Sequence, residues 1–110
     1  MAKRVVWTTS ARIGRRLILE YWTKKTKSKN YSQKLSKEFN QRIDYLKKFP
    51  KLGKETDFPN VRATSCGHFS IFYINALEAI VIVGVYDTRR NPQMIAQEIK
   101  NQIDIEDSKI

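Results

Sequence analysis

"HFSIFYINALEAIVIVGVYD", residues 68 to 87, decides the fold. In its first part Phe69, Ile71 and Tyr73 alternate with His68, Ser70, Phe72 and Ile74, the two-residue period of a strand. Apolar groups occur in both sets, which predicts a strand inside a sheet and not at its rim. Residues 79 to 86 form a second, β-branched run. Asn75, Ala76, Leu77 and Glu78 between the two runs make a connection of hairpin length. Upstream, "VRATS" at 61 to 65 predicts a third strand of the same group, reached through the Gly-, Pro- and Asn-containing loop "KLGKETDFPN" at 51 to 60.

Before that loop the period changes. Leu35, Phe39, Ile43, Leu46 and Phe49 recur at helical spacing, with Ser32 as the expected cap and Pro50 as the stop. Ile13, Leu17, Ile18, Tyr21 and Trp22 form an earlier stripe, with Arg12, Arg15, Arg16 and Glu20 on the other faces. The basic segment "KKTKSKN", residues 24 to 30, separates the two helices. "RVVW" at 4 to 7 reads as a short strand, and "TTS" behind it supplies hydroxyls for a helix cap. From Met94 a short helix carrying Ile95, Ile99 and Ile103 runs into the acidic end "DIEDSKI". The order β-α-α-β-β-β predicts an α+β domain: a helical hairpin on one face of a mainly antiparallel sheet of about four strands, with the other face open or bound.

The 110 residues suit one domain, 1–110. The net charge of +10 is uneven: residues 1 to 54 hold 16 Lys and Arg against 3 Asp and Glu, whereas residues 55 to 110 hold 5 against 8. A basic half of this density favours an anionic partner, whether nucleic acid, an acidic protein or an anionic membrane, over a merely solvated surface. No apolar run approaches the ~20 residues of a membrane span. "MAKRVVWTTS" has no apolar segment behind its basic residues, so a cytoplasmic protein is expected. Cys66 and His68 are the only cysteine and the only histidine, which argues against a metal site, a disulfide or a bound cofactor. Cys66 is expected in the core.

There is no glycine-rich phosphate loop, and no carboxylate pair or histidine triad at a telling spacing. Arg62, His68, Tyr73, Arg89 and Arg90 on the strands, and Lys51 and Lys54 before them, are the residues able to handle phosphate. Converging on an open sheet face, they would hold a phosphodiester and stabilise developing charge. Singly, each has a plainer role: Arg62 and Arg89 in ion pairs with Glu55 or Asp87, Tyr73 as a core aromatic with its hydroxyl at the margin, His68 as an exposed strand residue. Arg15 and Arg16 on the first helix are further candidates for contacting nucleic acid.

The order of elements, the segment "FPKLGKETDFPNVRATSCGHFSIFY" and the closing "VGVYDTRRNP" resemble the RelE/ParE superfamily of bacterial type II toxins, over residues 4 to about 95. The resemblance implies a small cytoplasmic toxin silenced by a cognate antitoxin. RelE-like members cut mRNA on the ribosome; ParE-like members poison DNA gyrase and have no nuclease site. Carried over by position, Arg62 matches the arginine that binds the scissile phosphate, and Arg89 or Arg90 the basic residue closing the last strand. Lys51 and Lys54 fall near lysines that serve substrate binding or base chemistry. Nothing aromatic follows Tyr86, so the C-terminal histidine or tyrosine of the nuclease members has no counterpart. His68 stands in only if it reaches the same site. Three readings result: a ribosome-dependent mRNA endonuclease that inhibits translation, a gyrase inhibitor without nuclease activity, and a non-enzymatic basic nucleic-acid-binding module.

Overall fold

The computed structural model describes residues 3 to 89 and 92 to 108. The chain runs through β1 (Arg4–Trp7), α1 (Thr9–Thr26), α2 (Asn30–Lys48), β2 (Lys54–Glu55), β3 (Val61–Cys66), β4 (Phe69–Asn75), β5 (Ala79–Asp87) and α3 (Pro92–Ser108). The sheet has five strands in the order β1-β5-β4-β3-β2, one more than expected because the loop at 51 to 60 contributes the two residues of β2. β1 lies parallel to β5 and every other pairing is antiparallel. The parallel pair follows from the connections: the helical hairpin sends β2 back opposite to β1, and three antiparallel steps through β3 and β4 bring β5 into the direction of β1.

Thr8 starts α1 by accepting a hydrogen bond from the Ala11 amide at 3.1 Å, the cap expected of the "TTS" segment. The next start differs from expectation. Ser32 lies inside the first turn of α2, where its hydroxyl donates to the Lys29 carbonyl and meets the Thr23 hydroxyl at 2.7 Å. The N-cap residue is Lys29, which makes no side-chain cap bond, and the Ser28 hydroxyl before it accepts from the Asn30 amide at 3.1 Å. Ser32 is buried against α1, so it fastens the hairpin and does not open a helix.

One sheet face receives the hairpin. Phe69, Ile71 and Tyr73 point into the core with Ile80, Ile82 and Val85, and α2 supplies Leu35, Phe39, Ile43 and Leu46. Phe39 meets Phe69 edge to face, with ring centroids 5.5 Å apart. Cys66 is buried in this cluster, as expected; burial pushes its thiol up, and the Glu38 carboxylate adds to the shift. A bulge at Val83 changes which residues of β5 face the helices: Tyr73 pairs with Ile82, but Phe72 with Gly84.

The second sheet face is covered in part. Ile95, Ala96 and Ile99 of α3 line a crevice with Ser70, Phe72 and Tyr86, and Ile99 is fully buried. The helix is longer than expected, because nothing between Pro92 and Ser108 breaks it and the acidic segment continues the turn. The two stripes read as core-facing are covered only in part. Ile13, Leu17 and Tyr21 on α1, and Phe49 just beyond α2, are each 42% or more exposed.

Candidate functional site

The residues singled out as phosphate-handling do not gather at one site: Arg62, Tyr73, Lys51 and Lys54 lie at one end of the β3–β4 hairpin, His68 and Arg89 at the other. Arg62 stands opposite Tyr73 in the β3–β4 pairing, and directly paired residues share a face; that face belongs to the helices. His68 is in the turn at the other end of the same hairpin. Four strand residues separate Arg62 from that turn, roughly 13 Å at the rise of an extended chain. The expected convergence on one open sheet face is therefore absent, for two physical reasons: register turns Arg62 toward the hairpin, and α3 covers part of the opposite face.

At the Arg62 end, the guanidinium donates to the Gly53 carbonyl at 2.7 Å and lies 3.6 Å from the Glu55 carboxylate. Beside it the Gly53 amide donates to the Tyr73 hydroxyl at 2.8 Å, and that hydroxyl donates to the Pro50 carbonyl at 2.7 Å. Tyr73 is wholly buried, and burial raises its pKa, so it is a neutral strut at neutral pH and not an accessible ligand for nucleic acid. Together Arg62 and Tyr73 fix the loop that presents Lys51 and Lys54, both exposed.

At the opposite end, the Thr88 amide and hydroxyl both donate to the His68 carbonyl at 2.9 Å. Arg89 donates from Nε and Nη2 to the Asp87 carboxylate at 2.9 and 2.7 Å, a two-point pair. The hydrogen bond from the Arg89 side chain, more than partial burial can offset, holds the Asp87 carboxyl below its usual range. So held, Arg89 lies over the Trp22 ring, 5.9 Å from its centroid, and Lys25 lies over the same ring at 5.2 Å. The cations at this corner are seated on aromatic faces of α1; Arg90 lies outside the described residues.

Of the two helix arginines, Arg15 is committed. Its guanidinium donates to the Ser36 hydroxyl at 2.7 Å and to Asn40 Oδ1 at 3.0 Å, and sits 5.2 Å from the Trp7 ring centre. It clamps α1 to α2 and β1, and burial lowers its pKa. Arg15, a candidate for contacting nucleic acid in the sequence, is thus engaged within the fold. Arg16 does face solvent, 3.7 Å from Glu20 one helical turn on.

Two surfaces were missed by the sequence reading. The first is a groove of about 580 Å³ between α1 and the outer edge of β5, lined by Ile13, Gly14, Leu17 and Tyr21 and floored by residues 84–87. β1 pairs with β5 only as far as Ile82, and among the described residues no strand continues the pairing on that side. The second is an exposed aromatic pair, Tyr45 and Phe49. Helical spacing announced the α1 stripe and Phe49 but not Tyr45, and spacing does not say how far a neighbouring element extends over them.

Among the described residues no three His, Cys, Asp or Glu side chains form a metal site, and no helix is long and apolar enough to cross a membrane. No family model matches the chain, and no curated protein matches it. Among solved structures it is similar to a chain of the chromosomal ParDE TA system from P. aeruginosa, with a TM-score of 0.68 and 16% identity. The likeness covers 78% of this chain and 96% of that one. At this identity what is shared is the fold. The α+β architecture expected from the sequence is the one this chain adopts, and it is shared with that chain.

Proposed function

We propose that this protein is the toxin of a type II toxin–antitoxin pair, and that it acts by binding its target, as ParE-like toxins bind DNA gyrase, and not by cutting mRNA. The observation that carries the choice is the separation of the arginines. Phosphodiester cleavage is favoured by preorganised cationic groups converging on the charge that develops at phosphorus. Here Arg62 is spent on the Gly53 carbonyl and Glu55 at one end of the β3–β4 hairpin, while Arg89 is spent on Asp87 at the other. A binding toxin needs no such cluster.

The structural likeness to a component of a ParDE system supports the same reading. An antitoxin is then required, and the α1–β5 groove offers it both an apolar stripe and a strand edge open to pairing. Lys25 and Arg89, seated over the lining residue Trp22, bring cations to its margin and suit an acidic segment, although Asp87 and Glu98 also line it.

The test is to induce the chain in bacteria and follow DNA damage and transcript 5′ ends together, with gyrase supercoiling measured in vitro. A damage response and slowed supercoiling without new transcript ends are expected. New ends clustered within codons, dependent on translation, would return the mRNA endonuclease reading.

A further inference from the structure

We propose that Tyr45 and Phe49 form a stacking platform for the unpaired bases of a single-stranded nucleic acid. The two residues are one helical turn apart at the end of α2. Their ring centroids are 5.6 Å apart and their planes are inclined by only 33°. They are 58% and 55% exposed, so more than half of each aromatic residue is displayed on the surface. Leu52, 43% exposed and joined to Phe49 by a turn hydrogen bond of 3.0 Å, extends the shelf.

The occupant is argued from what surrounds the rings. At the other aromatic cluster, the Trp22 face is already covered by Lys25 and Arg89. Among the described residues no cation stands over Tyr45 or Phe49, and their nearest aromatic partners are each other. Arg42 and Lys48 lie three residues to either side of Tyr45, on the same helix face, and Lys51 follows in the turn. None of the three enters an ion pair among the described residues, unlike Arg16, Arg62 and Arg89. Two bare, mutually tilted rings beside uncommitted cations match what an unpaired strand offers: flat bases and a phosphate on every residue. An acidic polypeptide would satisfy the cations and leave the ring faces unused, and a duplex hides its base faces.

The shelf is rigid at both ends. The Phe49 amide closes the last turn of α2 on the Tyr45 carbonyl at 2.8 Å, and the loop behind it is pinned by Tyr73 and Arg62. A shallow groove runs from Tyr45 past Gln41 and Arg42 to Gly67, whose missing side chain leaves it open, although Glu38 also lines it. The inference does not rest on the toxin reading.

The experiment is fluorescence anisotropy of the purified full chain with a labelled oligothymidylate and a duplex of equal length, over a range of salt concentrations. The wild type should bind the single strand more tightly than the duplex, and Tyr45→Ala/Phe49→Ala should weaken it by roughly ten-fold or more, the usual effect of removing a stacking ring. Lys48→Gln/Lys51→Gln should flatten the salt dependence while keeping the preference for single strands. Tyr45→Trp/Phe49→Trp should bind at least as tightly as the wild type, which separates lost stacking from a damaged fold. Equal binding by wild type and the alanine variant, equal affinity for duplex, or no binding at low salt would each overturn the proposal. It would also fall if the alanine variant lost only self-association or binding to polyglutamate, since the shelf would then be a protein-docking face.

Discussion

Tyr73 and Gly53 are joined by a buried hydrogen bond of 2.8 Å in which the backbone amide donates to the phenol. The same phenol donates to the Pro50 carbonyl, so one side-chain oxygen serves two backbone groups of the α2–β2 loop. Tyr73→Phe keeps the ring in the core but strands the buried Gly53 amide. Leaving such a donor unpaired costs about 1–3 kcal/mol. Urea unfolding should show a lower midpoint with an unchanged slope.

Gly53 has little freedom to change. A Cβ built there would lie 2.7 Å from the Tyr73 ring and 2.9 Å from the Ala63 carbonyl, and a backbone carbonyl cannot swing aside. Gly53→Ala should therefore destabilise by about 1–3 kcal/mol, the range for overpacked sites. Because it displaces the same phenol, its effect should not add to that of Tyr73→Phe, and a double-mutant cycle will measure the coupling.

Arg62 separates the two toxin readings. As a support for the loop it can be replaced by Gln with a modest loss of stability, while growth arrest on expression persists. The check is growth alongside thermal unfolding of the same variant. Arrest abolished with the melting temperature unchanged would mean that Arg62 acts on substrate, against its present commitment to Gly53 and Glu55.

Much of the fold was legible because strand and helix periods are local. The alternation in β4 correctly separated Phe69, Ile71 and Tyr73 from Ser70 and Phe72, and the "TTS" cap was readable at Thr8. The plain reading of the strand arginines also held, since Arg62 and Arg89 make the ion pairs with Glu55 and Asp87 that their neighbours offered. What was not legible depends on partners distant in sequence. Phe49 keeps the helical spacing of Leu46 but falls beyond the sheet's cover, and Ile13, Leu17 and Tyr21 face a strand edge that β1 is too short to fill. The face on which Arg62 lies was set by register with Tyr73, which composition alone does not encode.

The Asp87–Arg89 pair predicts a pH effect of definite sign. Asp87 is held below its ordinary carboxylate pKa, so the unfolded chain binds its proton more readily than the folded one. Its contribution to stability is present above the unfolded value, about pH 4, and is lost as pH falls through the lower folded value. Acid titration should also release Arg89 from the Trp22 ring, changing indole fluorescence in the same window. In Asp87→Asn both the acid-dependent loss and the fluorescence step should be missing.

Leu17 and Phe39 put the unpartnered face of α1 to the test. Phe39 is fully buried between α2 and the sheet, and truncation to Ala should cost about 3–5 kcal/mol through lost burial and the cavity left behind. Leu17 is 54% exposed in the groove beside β5, so Leu17→Ala should cost well under that, on the order of 1 kcal/mol from the remaining contact area. Chemical unfolding of the isolated chain checks the difference. If an acidic antitoxin segment lies in the groove, the ranking of Leu17 changes in its presence, since a residue half exposed alone becomes an anchor once covered. Leu17→Ala should then weaken capture of the chain by its antitoxin by ten-fold or more while leaving the free chain folded. A variant that binds as tightly as the wild type would place the antitoxin elsewhere on the surface.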